Sequence, residues 1–476
     1  MPVMTCTKKA LFGLAAFASR ASAFWRLPCS SPVVVERADP IMNEGQVSSH
    51  CHTVMGSNAF NFTMDYDLTQ KATCSTCKVV EDLSSYWVPN LYYLAENGSF
   101  IDVKQSGGAL IYYLQRTDEN DPNPEEGLIA FPKDFRMIAG DMNNRNNSDS
   151  LEQRAVSFAC LGHDGPATPE LPDQNCPNGL RTQLVFPSCW DGVNLDTPDH
   201  KSHMAYPSGM DTGFCPQSHP KRFITIFYEV TWNVDAFKDM WYGDKHPFVF
   251  SNGDPTGYGY HGDFVNGWDI PTLQKGIDEC TDDSGVVERC GAFHFREDDA
   301  MAACKTLARV DEPVAGALPA LPGCNPVQPG PERALAQTAG ACGAPTEIGD
   351  PLLPFTDVSA RLGWGYVACA RDPAGQPRTL DAYSADEPDM TVDRCVGMCG
   401  DRGFAYAGVE FGSQCFCGGG DGGVAPERMP PNGTMGECSM PCAGDAAQVC
   451  GGAALVGVYK RCDGAEDCQN VAMPQW

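Results

Sequence analysis

Short runs of β-branched and aromatic residues, separated by turn-forming clusters, fill the chain from residue 24 to residue 304. KRFITIFYEVTW (221–232) alternates partially between apolar and polar positions, the pattern of a half-buried strand. ALIYYLQR (109–116) and HPFVFSNG (246–253) read the same way. Clusters such as NGD, PTGYG and DENDPNPEEG lie between the runs, where Gly, Asn, Asp and Pro favour turns. The best helical candidate is DIPTLQKGIDEC (269–280), with Asp269 and Pro271 near its start and apolar spacing behind them. Many strands with long polar connections predict a mainly β fold, a sandwich of the jelly-roll sort. A parallel α/β arrangement needs regular helices between strands, and the pattern lacks them.

Composition then divides the chain. Residues 305–362 are rich in Pro, Ala and Gly and poor in aromatics, which predicts an extended linker pinned by Cys324 and Cys342. Before it lies a β-rich body, 24–304; after it a cysteine-rich module, 363–462, and a tail, 463–476. Lys8 and Lys9 precede the apolar run LFGLAAFA (11–18), and Ala21-Ser22-Ala23 supplies small residues for cleavage, so 1–23 reads as a signal peptide. No later stretch is long and apolar enough to predict a membrane span. The expectation is a secreted protein, extracellular or wall-associated, with sequons at Asn61, Asn97, Asn146 and Asn432. A formal charge of −28 disfavours nucleic acid and anionic membrane surfaces as partners. Removing the signal takes Cys6 with it and leaves 23 of the 24 cysteines, an odd number. One thiol is therefore free or paired between chains, unless the cleavage site lies elsewhere.

Eight cysteines of the last quarter follow a fixed order: Cys369, Cys395, Cys399, Cys415, Cys417, Cys438, Cys442 and Cys450. In a secreted chain such a set reads as a small disulfide-stapled module. With GWGYVACARD (363–372), CVGMCGDRGFAYAGVEFGSQCFCG (395–418) and CAGDAAQVCGG (442–452) around them, the module resembles a WSC domain. The resemblance implies binding to wall polysaccharide of the β-glucan or xylan type. Trp364, Tyr366, Tyr406 and Phe411 are the aromatic candidates for sugar contact. In the body, Trp87, Trp190, Trp232, Trp268, Tyr92 and Tyr93 are candidate stacking platforms, with core packing the competing role.

FPKDFRMIAGD (131–141), FPSCWDGVNLDTPDHKSHMAYP (186–207), CPQSHP (215–220) and FSNGDPTGYGYHGDFVNGWD (250–269) are similar to a fungal secreted family that often precedes WSC modules. It is known only as a domain of unknown function. The resemblance implies an extracellular β-rich domain and carries no catalytic residues with it.

Chemistry must come from the residues. The same segments and SSHCH (48–52) hold six of the nine histidines. His50 and His52, two apart, point to one face of a strand. His200 and His203 lie three apart beside Asp196 and Asp199. If folding gathers them, His50, His52, His200, His203 and His219 form a set of neutral imidazoles suited to one copper or zinc ion. His200, His203, His261 and Asp263 are the candidates for catalysis. Acid–base sugar cleavage needs paired carboxyls, and no pair is singled out by spacing. Tyr206, Tyr258, Tyr260 and His261 would serve a lyase, and plain glycan recognition needs no catalytic group. Serine-hydrolase elbows, P-loops and H-E-x-x-H helices are absent from the sequence. A carbohydrate-active protein, a metal-binding protein and a non-catalytic wall-binding protein all stay open, and oligomeric state is not legible.

Overall fold

The computed structural model describes residues 23–118, 127–335, 337, 341–353, 355–372, 377–418, 424, 428–429, 438, 440–464 and 468–470. The region read as a signal peptide, the sequon at Asn432 and the end of the tail lie outside them. Two sheets face one another in the body. The first orders its strands Gly285–Val286, Phe24–Cys29, Gln105–Leu114, Thr225–Trp232, Leu180–Val185 and Val156–Cys160. The second runs Val34–Ala38, Val47–Gly56, Ser85–Pro89, His261–Val265 and Arg136–Gly140, with every neighbour antiparallel.

Alternation explains how these strands meet. Ile226, Tyr228, Val230 and Trp232 turn inward from one strand, and Ile111 and Tyr113 from its neighbour. Met55, Tyr86, Val88, Met137 and Phe264 answer from the other sheet and share the same core. The mainly β fold and the sandwich arrangement are thus present. The sheets approach closely at Gly262, where a Cβ would sit 2.7 Å from Leu184 Cδ2. A buried chain of hydrogen bonds crosses the core: Trp268 Nε1 donates to Tyr113 Oη at 2.7 Å, Tyr113 donates to Tyr86 Oη at 2.7 Å, and Tyr86 donates to Asp82. The helix Ile270–Glu279 forms where expected, capped by Asp269, whose carboxylate accepts from Thr272 N.

The outer face of the second sheet is covered as well. Val54, Trp87, Ile138 and Val265 on that face pack under Phe60, Phe62, Met64, Cys304 and Val310. Residues 305–335 are not the extended linker that composition predicts. Ala317–Leu318 adds a strand beside Phe100–Asp102, and Leu318 and Leu321 are buried with Tyr92, Phe100 and Val249. Arg37 pairs with Glu312, and Arg145 Nε donates to Gln328 O at 2.9 Å. Cys74–Cys304 and Cys324–Cys342 fasten the segment. Pro and Gly keep regular structure there short without preventing burial, so composition misreads the packing.

The C-terminal module begins before residue 363, since Phe355 and Val358 belong to its core. Its antiparallel sheet orders Trp364–Arg371, Leu455–Arg461, Tyr406–Glu410, Gln414–Gly418 and Tyr383–Asp386. The helix Val392–Asp401 is stapled to that sheet by Cys395–Cys415 and Cys399–Cys417. Cys369–Cys438 and Cys442–Cys450 complete the eight-cysteine set. Cys74 and Cys77 do not pair with each other; Cys77 joins Cys29. Among the described residues Cys51 alone is free, and it is buried. Among the described residues no helix is long and apolar enough to cross a membrane. Asn97 and Asn146 are exposed and Asn61 is half-buried.

Candidate functional site

Two sites stand out, a histidine cluster on the outer face of the second sheet and a polar face on the C-terminal module. Strand alternation sends His50, His52 and Val54 to the outer face, and His261, Asp263 and Val265 to the same face two strands away. The strand between them pairs Pro89 with His52 and Trp87 with Asp263, which sets His52, Pro89 and His261 level across the sheet. The compact Pro89 leaves room for imidazoles to lean together over it. Ligand atoms of His50, His52 and His261 all lie within 4.8 Å of one another. His50 Nε2 and His261 Nε2 are 3.1 Å apart.

The outer nitrogens are already committed. His52 Nδ1 donates to Ala38 O at 3.0 Å, and His261 Nδ1 donates to Gly259 O at 2.9 Å. Each Nε2 is therefore a bare lone pair aimed into the cluster. His50 Nδ1 meets the Ser49 hydroxyl at 3.1 Å. His52 Nε2 has no hydrogen-bond partner among the described residues. The three rings are 1 %, 0 % and 3 % exposed. Burial, then mutual repulsion, holds His50 and His52 well below the usual imidazole range, and burial lowers His261 to about 4. All three are neutral at ordinary pH. Beside them, burial pushes the Asp263 carboxyl well above the usual range and Asp39 up to about 6. Neither carboxyl oxygen of Asp263 has a hydrogen-bond partner among the described residues, a setting that favours the neutral acid.

The other expected residues are placed differently. His203 Nε2 donates to Arg136 O at 2.8 Å and its Nδ1 meets the Thr197 hydroxyl at 3.0 Å. His219 is bonded through both ring nitrogens, to Ser218 Oγ and Ser202 O. His200 Nδ1 is held by Asp196 at 2.7 Å, and its carbonyl accepts from Ile138 N. These three do not join the converging set; His203 and the His200 carbonyl brace the 191–222 loop against the edge strand Arg136–Gly140, and His219 ties the loop to itself. The five histidines expected as one metal set are therefore not gathered in one place: among the described residues His50 and His52 converge, and His261 joins them instead of His200, His203 and His219. His261 and Asp263 face the cluster, yet both are sealed from solvent.

On the module, Trp364 and Tyr366 are 4 % and 1 % exposed, and Tyr366 stacks on Phe355 at 4.3 Å. They build the core and are not sugar contacts. Tyr406 is half-buried, packed beside Ala370 and Val458. Phe411 is 55 % exposed at a turn, with a left-handed φ of 51°. Beyond it, Ser384 and Asp386 line up with Phe416 and Gln414 on one face of two paired strands. Arg378 lies 4.6 Å over the Phe416 ring, and with Asp381 these residues line a groove of about 390 Å³. The groove was not read from the sequence; the alternating Ser384/Asp386 and Gln414/Phe416 pairs are its only signal. Cys395, Cys399 and Cys415 are also close together, but disulfides leave them no thiolate. Trp87, Trp232, Trp268, Tyr92 and Tyr93 are core residues, and Trp190 is partly buried against Phe223.

The fold and its stapled module define a two-part chain of known kinds. Residues 39–268 match the domain of unknown function DUF1996, and residues 366–452 match the WSC domain. The chain carries a DUF1996 domain followed by a WSC domain. It is 33 % identical over 119 residues, 24 % of its length and 12 % of the relative's, to a WSC domain-containing protein of Arthroderma benhamiae. A putative fungistatic metabolite of Chaetomium globosum is 30 % identical over 137 residues, 26 % of this chain and 58 % of that protein. Human Kremen protein 2 is 37 % identical over 112 residues, 23 % of each chain. The chain spans less than two thirds of each of these relatives' lengths.

Proposed function

We propose that this is a secreted protein that attaches to wall polysaccharide through its WSC domain and holds its N-terminal domain at that surface. The observation that carries the reading is the polar groove of Arg378, Asp381, Ser384, Asp386 and Gln414, with the exposed Phe411 on the turn that joins Glu410 to Gln414. An aromatic face next to paired hydrogen-bonding side chains suits a sugar ring, which has apolar faces and a polar rim. Acidic and amide side chains accept from and donate to hydroxyls without demanding a charged ligand. The wall association of the reading is supported by the pairing of the two domains and by fungal relatives with the same module. The burial of His261 and Asp263 favours non-catalytic attachment over cleavage, because a polymer cannot reach either group.

Sedimentation of the full chain with insoluble β-1,3-glucan and with xylan tests this. Phe411 already sits in the left-handed region, so Phe411→Gly fits the turn and leaves the fold intact. Losing the stacking contact should weaken binding about tenfold, the equivalent of ~1.4 kcal/mol. Binding of the intact chain to neither polymer, or equal binding by Phe411→Gly and by Asp386→Ala with Gln414→Ala, refutes the proposed surface.

A further inference from the structure

We infer that His50, His52 and His261 bind one divalent first-row transition ion of the zinc or copper class, resident in the body and separate from glycan attachment. Three neutral imidazoles converge from two non-adjacent strands, and imidazole nitrogen is the donor this class of ion takes. Tetrahedral or tetragonal ligation with metal–nitrogen bonds near 2 Å sets adjacent nitrogens about 3 Å apart. The His50 and His261 Nε2 atoms stand at 3.1 Å. The His52 Nε2 lone pair is buried with no donor among the described residues, a costly state that a cation relieves. The carbonyls of Ala38 and Gly259 hold two rings in the metal-binding tautomer before any ion arrives.

The 3.1 Å contact also dictates how the ion enters. His261 uses its only proton on Gly259 O, so in the metal-free protein His50 Nε2–H must donate to His261 Nε2, while His50 Nδ1 accepts from the Ser49 hydroxyl. When the ion binds, the His50 proton moves from Nε2 to Nδ1 and the Ser49 hydroxyl turns from donor to acceptor. No proton leaves the site, and three lone pairs face the metal. The neighbouring strand is shaped for this arrangement. Gly140, at φ 81°, pairs with His261, and a Cβ there would meet Tyr260 O at 2.4 Å and His261 Cα at 2.8 Å. The ion would cross-link Val47–Gly56 to His261–Val265 over the intervening strand Ser85–Pro89.

The test uses the full chain, secreted and purified without chelator. Elemental mass spectrometry should find about one zinc or copper per chain. After chelation, reloading with Zn²⁺ or Cu²⁺ at a hundredfold excess over Kd should raise Tm by about 5–10 °C. His52→Ala with His261→Ala should abolish both, while His203→Ala, a buried histidine outside the set, should retain the metal. Should the double variant not fold, the Cu²⁺-loaded wild type decides, because pulsed electron paramagnetic resonance counts coordinating imidazoles directly. Three imidazoles support the site. Fewer than two, no uptake with an unchanged Tm, or full metal retention in a folded double variant overturns it. Glycan sedimentation of the folded double variant should match wild type, which separates this site from the attachment surface.

Discussion

Cutting the bridge between Cys74 and Cys304 measures how firmly the C-terminal end of the body is clasped over the second sheet. Replacing both with serine removes a cross-link spanning 230 residues of sequence. The bridges Cys160–Cys176, Cys189–Cys215 and Cys280–Cys290 nest inside and shorten the effective loop only to about 180 residues. Loop-closure entropy for such a loop corresponds to ~5 kcal/mol at 25 °C, an upper value because residual structure in the unfolded chain lowers it. A loss of about 3–5 kcal/mol is expected, a third or more of the stability of an ordinary domain. Guanidinium unfolding of the non-reduced chain, followed by tryptophan fluorescence, reads it: Trp25, Trp87, Trp232 and Trp268 are all buried in the body. The midpoint should fall and the denaturant slope should rise, since the freed chain exposes more surface when unfolded. A loss under ~1 kcal/mol with an unchanged slope would refute the reasoning, because no long loop would then be closed by this bond in the unfolded chain.

Trp364→Ala or Tyr366→Ala should destabilise the WSC domain by about 3–5 kcal/mol, measured as a calorimetric shift of its transition; wild-type stability with lost glycan binding would return these residues to the sugar surface. Burial and the neighbouring Asp372 push Glu410 up to about 7, above its unfolded value of 4.5. The folded module then holds a proton that the unfolded chain gives up, so this contribution is present below pH 4.5 and fades as pH rises towards 7. Glu410→Gln should flatten the decline in Tm across that window, and an undiminished slope would remove Glu410 as its source. Gly140→Ala should cost about 2–4 kcal/mol by forcing a Cβ against the Tyr260 carbonyl in a left-handed backbone, read by urea unfolding.

The strands of the sandwich core were legible because alternation is a local signal; 221–232 and 109–116 carry it, and the Asp269 cap marks its helix within a few residues. The module was legible because eight half-cystines and their neighbours form an unbroken motif. His50 and His52 were legible as a pair for the same local reason. Their third partner was not, since His261 reaches them only through the register of Ser85–Pro89, a long-range pairing that no spacing encodes. His200 and His203 misled in the opposite sense: closeness to Asp196 and Asp199 resembles a supported metal site, but the loop uses those contacts to brace itself. Trp364 and Tyr366 show a similar limit. A small domain needs large rings inside, and nothing in sequence separates an inward ring from an outward one such as Phe411.

Cys51 bears on how the whole covalent framework persists. Disulfide reshuffling starts when a thiolate reaches a bridge, and the described residues offer eleven bridges and one thiol. Burial denies that thiol both the charge and the access it needs, raising its pKa well above the ordinary value. Once the second sheet closes, Cys51 cannot start reshuffling, and exchange through this thiol is confined to the unfolded chain.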